Sequence, residues 1–126
     1  MKRIQTAGGV TMVAALMALA LMAPALGHEA TLTIHGEKNE DTGKIEGAAI
    51  LSPAHPNAKV TIILRKQKAG GGFTEVARKK VGEFIYEGSY YATFADVAGN
   101  KTCKMKAIFK RENHTTVTAV SETFAC

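Results

Sequence analysis

The sequence predicts an all-β fold, an antiparallel sandwich of about seven short strands in a single domain behind an N-terminal export segment. Three observations lead there. Residues 28–126 hold seven Ile, six Val and eleven Thr against three Leu and one Met, and stiff β-branched side chains suit strands better than helices. Several windows alternate apolar and polar residues with period two, and none sustains the i, i+3, i+4, i+7 stripe of a surface helix. Turn-forming clusters separate these windows every 8–12 residues.

The N-terminus is a different kind of segment. Lys2 and Arg3 precede an apolar run from Val10 to Met22, Pro24 follows, and Ala25-Leu26-Gly27 puts small residues at −3 and −1. This is the three-part pattern of a cleaved secretory signal. The run is too short for the roughly 20 apolar residues of a membrane span. Cleavage after Ala30 would put His28 at −3, so residues 1–27 are assigned to the signal and 28–126 to the domain. Removing the signal lowers the formal charge from +5 to +3, because Lys2 and Arg3 leave and no acid does. The expected location is secreted, extracellular or at the cell envelope, with no transmembrane segment after cleavage.

The strands follow in order. Ala30–His35 places Leu32 and Ile34 on one face and His35 on the other. Lys44–Leu51 carries Ile45 with the small pair Gly47 and Ala49. Lys59–Lys66 aligns Val60, Ile62 and Leu64. Phe73–Val81 is polar, with Arg78, Lys79 and Lys80 near its end, and charge of this kind protects an edge strand from aggregation. Ser89–Ala95 sets Tyr90, Ala92 and Phe94 against Tyr91 and Thr93, so the two adjacent tyrosines face opposite ways. Thr102–Lys110 sets Cys103, Met105, Ala107 and Phe109 against lysines. Thr116–Ala125 groups Thr118, Val120 and Phe124.

Both cysteines lie in the last 24 residues, and an exported chain meets an oxidising compartment. A Cys103–Cys126 bond would stabilise the fold by roughly 3–3.5 kcal/mol through chain entropy. Placing the two opposite each other in a C-terminal hairpin would pair Met105 with Phe124, Ala107 with Glu122 and Phe109 with Val120; Glu122 is the misfit, pointing to the rim or to a bulge.

The stretch from Gly88 to Cys126 resembles the last strands of small secreted bacterial immunoglobulin-like (Ig-like fold) domains: Gly88 and Tyr90 open one strand, Phe94 closes it, Cys103 and Phe109 mark the next, and Phe124 and Cys126 end the chain. Residues 60–81 resemble the central hairpin of such domains. The resemblance implies an immunoglobulin-like β-sandwich and a binding or structural role without catalysis. Antibody-type features are missing: there is no Trp, and Lys101 stands two residues before Cys103, where the tyrosine corner would be. A transthyretin-like sandwich fits residues 47–64 and 88–90 nearly as well.

Candidate chemistry is sparse. Gly70-Gly71-Gly72 lacks the Gly-Lys-Ser/Thr of a phosphate loop and reads as a hairpin tip. Ser52, Ser89 and Ser121 have no G-x-S-x-G setting, so no catalytic residue is assigned. Asn100 and Asn113 begin glycosylation-type sequons, usable only in a host that glycosylates them. Arg65, Lys66, Arg78, Lys79 and Lys80 can cluster on one hairpin and contact an anionic surface, while Lys104, Lys106, Lys110 and Arg111 line another strand; Glu75, Glu83, Glu87 and Glu112 lie nearby in sequence and can neutralise them. Cleavage after Gly27 would make His28 the N-terminus, offering an amine and an imidazole from one residue, with His35 as the second imidazole. Nitrogen donors suit Cu(II). In that feature the chain is similar to secreted copper enzymes and carriers, which implies a copper-binding secreted β-sandwich as the alternative function. The main reading is a secreted binding or structural module that is not an enzyme and has no cofactor. Its partner would be a protein or an envelope polysaccharide, with no specific nucleic-acid recognition.

Overall fold

The computed structural model describes residues 30–97, 101–112 and 114–126; the signal segment, His28 and both sequon asparagines lie outside them. Among the described residues, alternation builds nine strands: β1 (Thr31–Lys38), β2 (Ile45–Ser52), β3 (Val60–Gln67), β4 (Phe73–Val81), β5 (Glu83–Phe84), β6 (Tyr86–Phe94), β7 (Thr102–Phe109), β8 (Val117–Val120) and β9 (Phe124–Ala125). One antiparallel sheet has the order β1-β2-β6-β5. The other has β4-β3-β7-β8, with β9 also pairing to β7. The polar strand β4 is an edge strand, as its charges predict. Gly82 carries the chain from that edge to β5 on the edge of the other sheet.

The core is the set of inward parities. Leu32, Ile34, Ile45, Ala49, Leu51, Tyr90, Ala92 and Phe94 come from one sheet. Val60, Ile62, Leu64, Cys103, Met105, Ala107 and Phe109 come from the other. Small residues in the first sheet make room for large ones in the second. A Cβ on Gly36 would stand 2.5 Å from Phe124 Cε1 and 2.6 Å from Met105 Cγ, so the glycine is the socket for both side chains. Tyr90 and Tyr91 divide as strand parity requires: Tyr90 is buried and Tyr91 half-exposed on the outer face.

The C-terminal hairpin differs from the expected register. Phe109 pairs with Val117, Lys106 with Val120, and Cys103 with Phe124. The cause is Ser121. Its backbone N–H donates to Met105 O (2.8 Å), while its Oγ accepts from Met105 N (2.8 Å). The side chain replaces a backbone acceptor, the ladder breaks, and the chain bulges through Glu122 and Thr123 before β9 pairs again. The expected face is therefore reversed in β8: Val117 and Ala119 pack against the core, and Val120 is 52% exposed. Glu122 sits exposed in the bulge, which resolves its misfit. The expected disulfide forms, joining Cys103 and Cys126 with Cα atoms 5.8 Å apart and tying the C-terminus to β7.

Gly88 has the strictest backbone requirement. Its φ is +78°, and a Cβ there would lie 2.6 Å from the Leu51 carbonyl oxygen, a backbone atom that cannot move aside. Left-handed backbone already costs an L-residue about 1–2 kcal/mol before any clash. Gly88→Ala is expected to destabilise the domain by about 3 kcal/mol, seen as a lower urea midpoint with unchanged m.

Candidate functional site

Charge is segregated between the two outer faces of the sandwich. On the five-stranded sheet the outward row Arg78, Ile63, Lys106, Val120 runs across four strands. On one side of it lies Glu75, Arg65, Lys104; on the other lies Lys80, Thr61, Ile108, Thr118. A bulge at Val76 keeps this parity on β4, because the register shifts between Leu64 and Arg65. The strands thus present five cations (Arg65, Arg78, Lys80, Lys104 and Lys106) against one carboxylate, Glu75. Strand geometry sets their spacing: about 6.6 Å between Lys104 and Lys106 along β7, and about 9.6 Å from β4 to β7 across β3. The spacing along β7 lies within the ~8 Å screening length of physiological salt and the spacing from β4 to β7 lies just beyond it, so the charges reinforce one another most strongly along a strand.

Local contacts hold the array in place. Arg78 donates to both carboxylate oxygens of Glu75, Nε at 2.8 Å and Nη2 at 2.7 Å. The bond to Arg78 holds the Glu75 carboxyl below the usual carboxylate range, and the pairing raises the Arg78 guanidinium. Arg65 Nη2 donates to Phe73 O (3.3 Å), and Lys104 Nζ sits 4.3 Å from the Phe73 ring centroid. Ile63 is only 4% exposed although it faces outward and lies outside the core cluster. Its cross-strand neighbours are Arg78 and Lys106, whose aliphatic stems can cover an apolar residue while their heads stay in water.

The outer face of the other sheet is its electrostatic opposite. Its rows are Thr33, Ile50, Ser89; His35, Ala48, Tyr91; and Glu37, Glu46, Thr93, with two carboxylates and no Lys or Arg. Asn39 Nδ2 donates to Glu46 Oε2 (3.1 Å), and His35 Nε2 meets Glu37 Oε1 at 2.9 Å. Burial, aided by Glu46 and Glu37, raises the Tyr91 phenol above its ordinary range.

The residues predicted as an anionic-surface cluster divide by parity. Arg65, Arg78 and Lys80 share the outer face. Lys79 has the opposite parity; its Nζ donates to Thr93 O of β6 and stands 5.5 Å from the Phe94 ring, strapping the two sheets together at the β4 edge. Lys66 pairs with Cys103 and Thr74 on the inward side at the end of β3. Lys104 and Lys106, read from sequence as a separate strand, join the first set because β3 pairs with both β4 and β7. Of the two predicted copper ligands, His28 lies outside the described residues, and His35 is engaged with Glu37 on the acidic face. Of the acids expected to neutralise the cations, only Glu75 lies on the face. Glu83 Oε2 instead accepts from Gly88 N (2.8 Å).

At one end of the cationic face, the β2–β3 loop and the segment after β7 enclose an open groove of about 750 Å³. His55, Lys59, Arg78, Lys80, Lys110 and Arg111 line it, with Glu112 as its carboxylate. The sequence reading missed His55 here, because the groove exists only once the β2–β3 loop folds beside Arg111.

A second exposed feature is the β5–β6 turn. Phe84, Ile85 and Tyr86 are 50%, 74% and 73% exposed, and Phe84 stacks on Tyr91 with centroids 5.4 Å apart. Ile85 has φ +66°, a conformation β-branched residues strongly avoid. Ile85→Asn is expected to raise stability by about 1 kcal/mol, read as a higher thermal midpoint, since Asn tolerates that backbone and little buried area is lost.

The sequence matches no family model and no curated protein. Solved structures resemble the fold. A tetra-tandem repeat from the extending region of a large adhesion protein is similar with a TM-score of 0.51 and 18% identity over 78% of this chain, which spans 24% of that chain. A hypothetical protein from Pyrococcus horikoshii OT3 has a TM-score of 0.47 and 17% identity, covering 79% of this chain and 89% of its own. At 18% identity the likeness to the adhesion-protein repeat is one of fold. Among the described residues, no helix is long and apolar enough to cross a membrane.

Proposed function

We propose that this chain is an exported, non-catalytic binding module that docks the outer face of its five-stranded sheet on a linear anionic polysaccharide of the cell envelope. The observation that carries the reading is the charge segregation: five cations against one carboxylate on one face, two carboxylates and no Lys or Arg on the other. A modest net charge of +3 conceals this polarity. The strand order supports an immunoglobulin-like sandwich, since β1-β2-β6-β5 facing β4-β3-β7-β8 follows the A-B-E-D and C-F-G sheets of that fold with one added edge strand. The disulfide supports an oxidising compartment, and the adhesion-protein repeat is a structural neighbour compatible with a binding role.

Retention on immobilised phosphorylated dextran, with unmodified dextran as the reference, tests this. Charge-driven docking through four or five cations predicts that log K falls with log salt with a slope of about −3 to −4, by the counter-ion release that governs dense linear polyanions. Equal retention on the uncharged polymer, or a slope near zero, would overturn the proposal.

A further inference from the structure

We infer that the groove at the end of the cationic face is a discrete phosphate site, with Arg111 as its central donor. The inference rests on the polyanion reading and deepens it: the face would track the polymer, and the groove would seat one phosphate group. The guanidinium is held before any ligand arrives. Arg111 Nη1 is 3.4 Å from His55 Nε2, and His55 Nδ1 is 2.8 Å from Pro53 O. These contacts agree on one tautomer, in which Nδ1–H donates to the carbonyl and Nε2 accepts from Arg111. Phe109 supports both groups, with the imidazole centroid 5.2 Å and the guanidinium carbon 5.5 Å from its ring.

Arg111 Nε is buried and has no hydrogen-bond partner. The His55 contact uses only Nη1, so the rest of the guanidinium edge that lines the groove is held in a fixed fork for an anion. Lys59, Lys80 and Lys110 line the same groove. A groove that offers several ammonium donors and a guanidinium suits a tetrahedral phosphate, which has more oxygens and more charge than a planar carboxylate. Glu112 on the same lining opposes an anion and biases the site toward ligands that engage the cations directly.

The probe is inorganic phosphate, titrated at constant ionic strength and followed by amide shifts, with acetate as the carboxylate control. Saturable shifts at Lys59, Lys110 and Arg111 are expected, weakened at least tenfold in Arg111→Gln. Arg111→Lys, which keeps the charge and loses the planar fork, should weaken them as well. Lys110→Gln, at an exposed position, gives an independent reading if an Arg111 variant loses its folded spectrum. Lys104→Gln with Lys106→Gln should leave the phosphate affinity within twofold. Linear shifts, equal affinity for acetate, or full affinity in both Arg111 variants would overturn the site. If the double lysine variant still lost polymer retention while phosphate failed to saturate, the face reading would stand and the groove inference would fall.

Discussion

Removing the Cys103–Cys126 bond is expected to lower the thermal midpoint by about 15–25 °C. The cysteines are 23 residues apart, and closing that loop restricts the unfolded chain by about 3.4 kcal/mol in the chain-entropy account. For a domain near 100 residues each kcal/mol corresponds to about 4–8 °C. The folded side points the same way. Strand β9 is two residues long and depends on its pairing with β7 and on the Cys126 N–H bond to Lys101 O (2.9 Å). Its Phe124 fills the space above Gly36, so loosening the terminus also exposes the core between β1 and β7. Calorimetry with and without reductant, beside the Cys103→Ala, Cys126→Ala double variant, measures this. Amide exchange should quicken first at Phe124 and Ala125. A midpoint that moves by less than about 5 °C would show that the bond adds little to a hairpin already held by its ladder.

Neutralising the centre of the cationic face should abolish polymer binding without unfolding the protein. Lys104→Gln with Lys106→Gln removes two cations from β7 and keeps the first two methylenes of each stem, with Arg78 still beside Ile63. Each lost contact flattens the salt dependence by about 0.7–0.9, and two together weaken binding roughly 100-fold at 0.05 M salt. Lys38→Gln with Lys44→Gln removes the same net charge from the end of β1 and the β1–β2 connection. Lys38 pairs with Asp96 there. That variant should bind within about threefold of the wild type. Equal losses in the two variants would mean that net charge, rather than the face, drives association.

The strands were legible because strand parity is local: a residue's neighbours at i±2 announce its face. Hence the inward rows of β2, β3, β6 and β7, the edge position of β4, and the opposite facing of Tyr90 and Tyr91 could all be read before any pairing was known. What depends on pairing could not. The split of the last strand turns on Ser121 Oγ standing in for a backbone acceptor, and one side-chain hydrogen bond leaves no periodic signal. The expected placement of Val120 inside failed for that reason. The same limit applied to the site. The two cation sets were visible on separate strands, but only β3, lying between β4 and β7, makes them one surface. Parity, in turn, removes Lys66 and Lys79 from it. The groove needed two loops distant in sequence, and nothing in the composition around His55 marked it as a partner of Arg111.

The most direct test of the cationic-face reading is to titrate phosphorylated dextran into isotope-labelled protein and map which backbone amides shift. The expected pattern centres on β3, β4 and β7, strongest around Arg65, Arg78, Lys80, Lys104 and Lys106, and collapses as salt rises. Shifts centred on β1, β2 and β6, or on the Phe84–Tyr86 turn, would contradict it.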